Sequence, residues 1–190
     1  MASIANATGI ILAGGEGRRA GHRDKGLIPW HGKPLIAHVI DRLGPQVSEL
    51  LISCNRNFVE YETFGARTVA DLRHDFQGPL AGLESAAAHV KTDLVVVVCC
   101  DTPQLPVDLA HRLLAPLLFR GINSSGVTYA HDGARAQYLC AAMTRESLST
   151  LPQFLDDGHR AVHEWYRRQN AMAVDFSDRT DCFRNYNWLV

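Results

Sequence analysis

The sequence predicts an α/β fold with a mostly parallel central sheet and helices on both of its faces. Three observations carry this expectation. Val95, Val96, Val97 and Val98 form a continuous apolar run, the pattern of a central parallel strand buried on both sides. Strand-like runs alternate with segments of helical spacing through the first half of the 190-residue chain, as in βα units wound into one sheet. The strand-like runs also end in glycine, asparagine or aspartate, residue types that suit a ligand-binding rim beyond the carboxyl ends of parallel strands.

Each element can be justified in turn. Gly9 to Leu12 reads as a short buried strand, broken at Ala13, Gly14, Gly15 and Gly17 into a loop of bare backbone amides. Leu27 to Trp30 is a short extended piece turning at Gly32 and Lys33, and Pro34 suits a first helical position. Leu35, Ile36, Val39, Ile40 and Leu43 recur at helical spacing until Gly44 and Pro45. Leu50 to Ile52 is a second strand with Ser53, Asn55, Arg56 and Asn57 at or past its end. Phe58 to Phe64 is a short helix closed by Gly65, and Thr68 to Ala70 is a third strand that delivers Asp71. Leu80 to Val90 is helical, the valine run ends at Asp101, and a helix follows from about Val107 to Leu118. Val127 to His131 and Gln137 to Ala142, joined through Asp132 and Gly133, read as a hairpin or paired strands. Arg145 to Leu151 and Arg160 to Arg168 read as helices, Ala171 to Phe176 as a strand, and the end as irregular. No repeat, low-complexity tract or linker interrupts residues 1–190, so one domain is expected.

Composition narrows the function. A formal charge of −1 argues against a broad basic surface and hence against nucleic acid as a partner. No apolar run approaches membrane-spanning length and the start lacks a signal-peptide pattern, so a cytoplasmic protein is expected, with no membrane partner. Five cysteines without a CxxC pair indicate reduced thiols, mostly small buried hydrophobes.

The stretch Thr8 to Gly26 carries the strongest chemical signal. A strand, a glycine loop and then Arg18, Arg19, Arg23 and Lys25 make a phosphate-binding arrangement; the plainer reading is a glycine-rich connection with solvated charges. The Walker pattern fails at every glycine. Gly15, Gly17 and Ala20 meet the dinucleotide pattern literally, but Gly21, Gly26, Pro29, Gly32 and Pro34 forbid the long helix it must open. What remains is a longer loop with its lysine displaced to Lys25.

Asp101, at the end of a buried strand and facing such a loop, suits a magnesium ligand, because Mg²⁺ takes a few carboxylate oxygens alongside phosphate and water. The alternative is a helix cap for the Val107 segment, from which Pro103 and Pro106 separate it. Asp71 can accept from a base or ribose, or simply end a strand with a turn. Asn55 and Asn57 have the donors and acceptors for the same task, or serve the turn. Lys25 and Arg19 would neutralise triphosphate charge and stabilise a leaving pyrophosphate. His159 and His163 have zinc-compatible helical spacing but lack a third ligand, and read as surface residues.

LAGGEGRRAGHRDKG resembles the signature loop of the nucleotidyltransferases that activate molybdopterin, most closely the molybdenum cofactor guanylyltransferase (MobA) family. GKPL at Gly32, SCNRN at Ser53, GPLAG at Gly78, CDTPQLP at Cys100, VDFSD at Val174 and NYN at Asn185 agree in order and spacing. The combination is specific, since cytidylyltransferase relatives usually read LAAG and TDQP. The resemblance implies a Rossmann-like three-layer nucleotidyltransferase fold. It implies that Leu12, Ala13, Gly14, Lys25, Asp71 and Asp101 carry GTP, that Asp101 also carries Mg²⁺, and that Asn185 and Asn187 meet molybdopterin. Gly15 belongs with the loop amides, and Ser53 stands where family members can present asparagine to the nucleotide. Family members read RMGG where this chain has Arg19, Ala20, Gly21 and His22, and proline where it has Tyr138. The implied reaction is GMP transfer from GTP to molybdenum molybdopterin by a monomer or weak oligomer, with molybdopterin-handling proteins and recipient molybdoenzymes as protein partners. The rival readings are another nucleotidyltransferase, such as a cytidylyltransferase, and a GTP-binding cofactor-delivery protein without turnover.

Overall fold

A strand with four consecutive valines needs apolar cover on both faces, and the chain supplies it from two sets of helices. The computed structural model describes residues 6–15, 23–121 and 126–186. In chain order its elements are β1 (Ala7–Leu12), the two-residue strands β2 (Pro29–Trp30) and β3 (Lys33–Pro34), α1 (Leu35–Leu43), β4 (Glu49–Ser53), α2 (Phe58–Glu62), β5 (Arg67–Val69), α3 (Pro79–Ala87), β6 (Leu94–Cys99) and α4 (Leu109–Arg120). There follow β7 (Val127–His131), β8 (Ala136–Thr144), α5 (Arg145–Leu148), α6 (Leu151–Asp156), α7 (Val162–Arg168) and β9 (Met172–Asp175), then a 3₁₀ segment over Ser177–Phe183.

Seven strands form one sheet in the order β5-β4-β1-β6-β8-β7-β9. Among the described strands β8 alone runs against the others, pairing antiparallel with both β6 and β7. The expected α/β class and mostly parallel sheet are therefore what the chain adopts. Leu94, Val96 and Val98 of β6 join Ala7 and Ile11 of β1 in a core under α1, α2 and α4. Val95 and Val97, with Ile10 and Leu12, join the opposite core under α3, α5, α6 and α7. That alternation makes three layers. Each strand contributes its odd and even residues to different helices.

Several boundaries differ from the expectation. Pro34 precedes the first helix as its N-cap rather than opening it. The long fourth helix starts at Leu109 and runs through Pro116 to Arg120. The segment Arg145 to Leu151 splits in two: the Thr144 hydroxyl caps α5, and α6 restarts with Pro152 in its first turn, where a missing N–H costs nothing. The hairpin reading holds, with a register shift between Tyr129 and Ala130. Arg112 of α4 fastens the C-terminal segment, its guanidinium 3.9 Å from the Phe176 ring and 3.0 Å from Asp178.

Chain direction decides what meets at the rim. From β1 the chain steps outward to β4 and β5, then returns to the other side of β1 as β6. The reversal creates a crevice between the carboxyl ends of β1 and β6, where open α/β sheets bind ligands. Leu12 and Cys99 stand side by side there. Gly14 and Asp101 are therefore brought together by topology.

Candidate active site

The loop side of the crevice is built by backbone and cross-strand bonds. Past β1, the Ala13 amide donates to the Ser53 carbonyl at 2.7 Å, so the chain still tracks β4 as it enters the loop. The Asn55 amide donates both to the Gly14 carbonyl at 3.2 Å and to the Asp71 carboxylate at 2.8 Å, while its oxygen accepts from the Asp71 amide at 2.9 Å. The Ser53 hydroxyl lies 3.4 Å from the same carboxylate. One asparagine thus ties the ends of three strands together. A Cβ on Gly82 would sit 2.5 Å from the Ser53 hydroxyl and 3.3 Å from Asp71, so the GPLAG segment needs glycine where it passes this cradle. Burial pushes the Asp71 carboxyl above its ordinary value, against the opposing pull of the Asn55 and Ser53 donors.

The opposite side is Asp101, buried to 7 % exposure just past β6. Lys25 Nζ lies 3.4 Å from its Oδ2. Lys25 and Asp101 therefore face each other across one crevice. The Cys100 amide donates to the Leu12 carbonyl at 3.1 Å, and the Tyr186 amide to the Asp101 carbonyl at 2.9 Å, which fixes the backbone on both sides of the carboxylate. Asp101 does not cap α4, whose cap position is Asp108. Burial, reinforced by the Asp101 charge, raises the neighbouring thiols: Cys99 and Cys100 well above the usual value and Cys140 to about 12. These cysteines stay protonated and serve as packing.

Beyond Asp101 a groove of about 300 Å³ opens between β6, β8 and α7. Thr102, Gln137, Tyr138, His163 and Asn185 line it. The Thr102 hydroxyl donates to Asn185 Oδ1 at 3.0 Å, and Tyr138 joins an aromatic group with Tyr129, Tyr166 and His163. His163 thereby belongs to the groove wall, while His159 pairs with Glu164 and stacks on Phe154. No trio of metal-ligating side chains occurs among the described residues.

Leu12, Ala13, Gly14, Gly15, Lys25, Ser53, Asn55, Asp71 and Asp101 therefore gather at the crevice, and Asn185 adjoins it through Thr102. Arg19 and Asn187 lie outside the described residues. Sequence reasoning missed Asp24 and Tyr61, which hold the loop, and the aromatic groove wall. An aspartate beside the key lysine was the available signal for the first; a hairpin rich in tyrosine was the signal for the second.

A mostly parallel sheet with a glycine loop and a lysine facing a carboxylate across its switch point suits a phosphate-bearing ligand, and likeness to known proteins makes the chain a nucleotidyltransferase. The chain belongs to the MobA-like NTP transferase domain family, whose model matches residues 9–172. It is 40% identical over 178 residues to a molybdenum cofactor guanylyltransferase from Shewanella piezotolerans, covering 94% of this chain and 86% of the relative. A protein of the same description from Shewanella putrefaciens is 39% identical over 180 residues, covering 95% and 91%. Among solved structures, molybdopterin-guanine dinucleotide biosynthesis protein A from Archaeoglobus fulgidus superposes with a TM-score of 0.75 at 21% identity, covering 95% of this chain and 92% of that one. The 4-diphosphocytidyl-2C-methyl-D-erythritol synthase from Anaerococcus prevotii gives 0.70 at 8% identity, covering 96% and 91%. At these identities the superpositions speak for the fold alone.

Proposed function

We propose that the chain transfers GMP from GTP to the terminal phosphate of molybdenum molybdopterin in the cytoplasm, releasing pyrophosphate. The names of its relatives support the substrates, and one observation carries the chemistry: the 3.4 Å approach of Lys25 to Asp101 at the sheet's switch point. Gly14 and Gly15 offer backbone amides to the phosphate oxygens. Lys25 neutralises charge as it develops on the departing pyrophosphate. Asp71, held by Asn55 and Ser53, is a fixed acceptor for base or ribose donors. The groove beside Asp101 receives the acceptor, with Asn185 and Thr102 at its inner end. An acceptor phosphate oxygen attacks the α-phosphorus in line, so no covalent enzyme intermediate forms.

The donor set at Asp101 fits magnesium of a particular kind. One carboxylate with a lysine beside it suits an ion that arrives with the triphosphate and keeps phosphate and water ligands. Asp101 would hold Mg²⁺, which supplies charge neutralisation at the phosphates.

Pyrophosphate release, measured with each nucleoside triphosphate in the presence of molybdopterin, tests the reading. GTP is expected to be the productive substrate. Turnover with CTP but not GTP would overturn the choice of base, and GTP binding that survives Asp101→Ala with no turnover in the native chain would mark a delivery protein.

A further inference from the structure

Asp24 precedes Lys25 in the chain, and its carboxylate is only 6 % exposed. Among the described residues four groups converge on it. The Gly26 amide donates to Oδ1 at 3.2 Å, and the Tyr61 hydroxyl donates to the same oxygen. The Asn57 amide donates to Oδ2 at 2.9 Å, and the Arg56 guanidinium lies 3.7 Å from it. Arg56 also donates to the Arg23 carbonyl at 3.0 Å. The bond from Asp24 to Gly26 closes a turn with Lys25 at its middle, which sets the backbone angles of the lysine itself. The other donors all come from residues 56–61, the segment after β4.

This segment is shaped for the contact. Asn57 adopts a left-handed backbone, φ 54°, and its side chain reaches back to Asp24 instead of forward to a ligand. The Tyr61 hydroxyl occupies the space over Gly26, where an added Cβ would lie 2.4 Å away. Burial and the Asp24 carboxylate both push the Tyr61 phenol upward, so it remains a donor at any working pH. A buried carboxylate with this many donors is rigid, because losing any one leaves an unpaired group away from water.

We propose that Asp24 is a positioning residue for guanylyl transfer: clamped by Arg56, Asn57 and Tyr61, it holds the turn that aims Lys25 at the triphosphate. The inference rests on the reading given above for Lys25. It makes the DKG and SCNRN stretches one device, in which the second loop sets the cation of the first.

A double-mutant cycle between Asp24→Asn and Lys25→Met tests it, read as kcat/KM for GTP, KM for molybdopterin and GTP·Mg²⁺ affinity. Asp24→Asn alone is expected to lower kcat/KM for GTP by roughly 10- to 100-fold, the scale of a misplaced catalytic group, with the molybdopterin KM unchanged. In the Lys25→Met background the same change is expected to cost less than about twofold, because its effect acts through the lysine. Asn57→Gly keeps the left-handed backbone and deletes one donor, so it runs the same cycle with a smaller loss if Asp24→Asn fails to fold. Equal losses in both backgrounds, or none in the native one, would overturn the positioning role while leaving guanylyl transfer standing. A native chain that neither binds nor turns over GTP would overturn both.

Discussion

The two sides of β6 are built on different principles. Toward β1, β4 and β5 the strands run parallel, so each delivers its carboxyl end to the rim, where Gly14, Asn55 and Asp71 follow. Toward β8 the direction reverses, so the rim receives the start of a strand, Gln137 to Leu139, whose side chains are bulky. The first side presents backbone, glycine clearance and a cross-bonded carboxylate; the second presents aromatic surface and a few hydroxyl and amide groups. A triphosphate needs fixed charge at fixed distances, which the backbone supplies. A fused heterocyclic acceptor needs a shaped wall, which side chains supply. The comparison predicts that damage to each side should register on a different substrate.

The largest effect should come from the residue both sides share. Asp101→Ala is expected to lower kcat by on the order of 10³-fold, as for other single electrostatic contacts to a transition state, and to abolish the dependence of GTP affinity on magnesium. Steady-state kinetics with magnesium titration measures both. A loss confined to one substrate's KM would break the picture of a shared centre. Next in size is Asp71→Asn, which removes a charged acceptor and should weaken GTP by roughly 10- to 100-fold, the equivalent of about 1.5–3 kcal/mol, without changing the molybdopterin KM.

Acidity gives the same residue a second test. The folded pKa of Asp71 is raised by burial, so its contribution to stability is full below the unfolded value and declines as pH rises through the folded one. Asp71→Asn should therefore melt slightly higher than the native chain at neutral pH while binding GTP worse. In the native chain GTP affinity should fall as acid protonates Asp71, in the window above the ordinary carboxylate value. The asparagine variant should lack that limb. Gly82→Ala approaches the same cradle sterically: its Cβ would press on the Ser53 hydroxyl at 2.5 Å. Overpacking of this kind costs about 1–3 kcal/mol, readable as a lower melting midpoint together with a higher KM for GTP.

The parallel side was legible in the sequence because its chemistry sits where strands stop. Asp71, Asn55, Gly14 and Asp101 announce themselves as polar residues after apolar runs, and the valine run places the sheet centre. Their mutual bonds were not legible: Asn57 could equally have served a ribose or a turn, and only the fold shows it reaching Asp24. Tyr61 falls on a helical apolar face and reads as core, which it also is. The split at Ser149 and Thr150 was hidden because Arg145 to Leu151 keeps helical composition through it. On the antiparallel side, Tyr129, Tyr138 and Tyr166 alternate or recur as any half-buried residues do, so the groove emerges only when three elements pack.

The smallest predicted effect is the one that most sharpens the division. Tyr138 is half-buried in the groove wall, its ring 5.1 Å from Tyr129 and 5.9 Å from Tyr166, and its carbonyl accepts the Tyr166 hydroxyl at 2.8 Å. The backbone bond survives any substitution except one that shifts the strand, so Tyr138→Ala removes surface without removing β8. An aromatic contact contributes about 0.5–1.5 kcal/mol beyond its buried area, so the KM for molybdopterin should rise by roughly 2- to 12-fold. Tyr138→Phe keeps the ring and should stay close to native. The KM for GTP should hold in both variants, because β6 stands between this wall and β1, which carries the glycine loop. Equal changes in both KM values would show that the sheet's two sides act on one substrate, and the division by strand direction would fail.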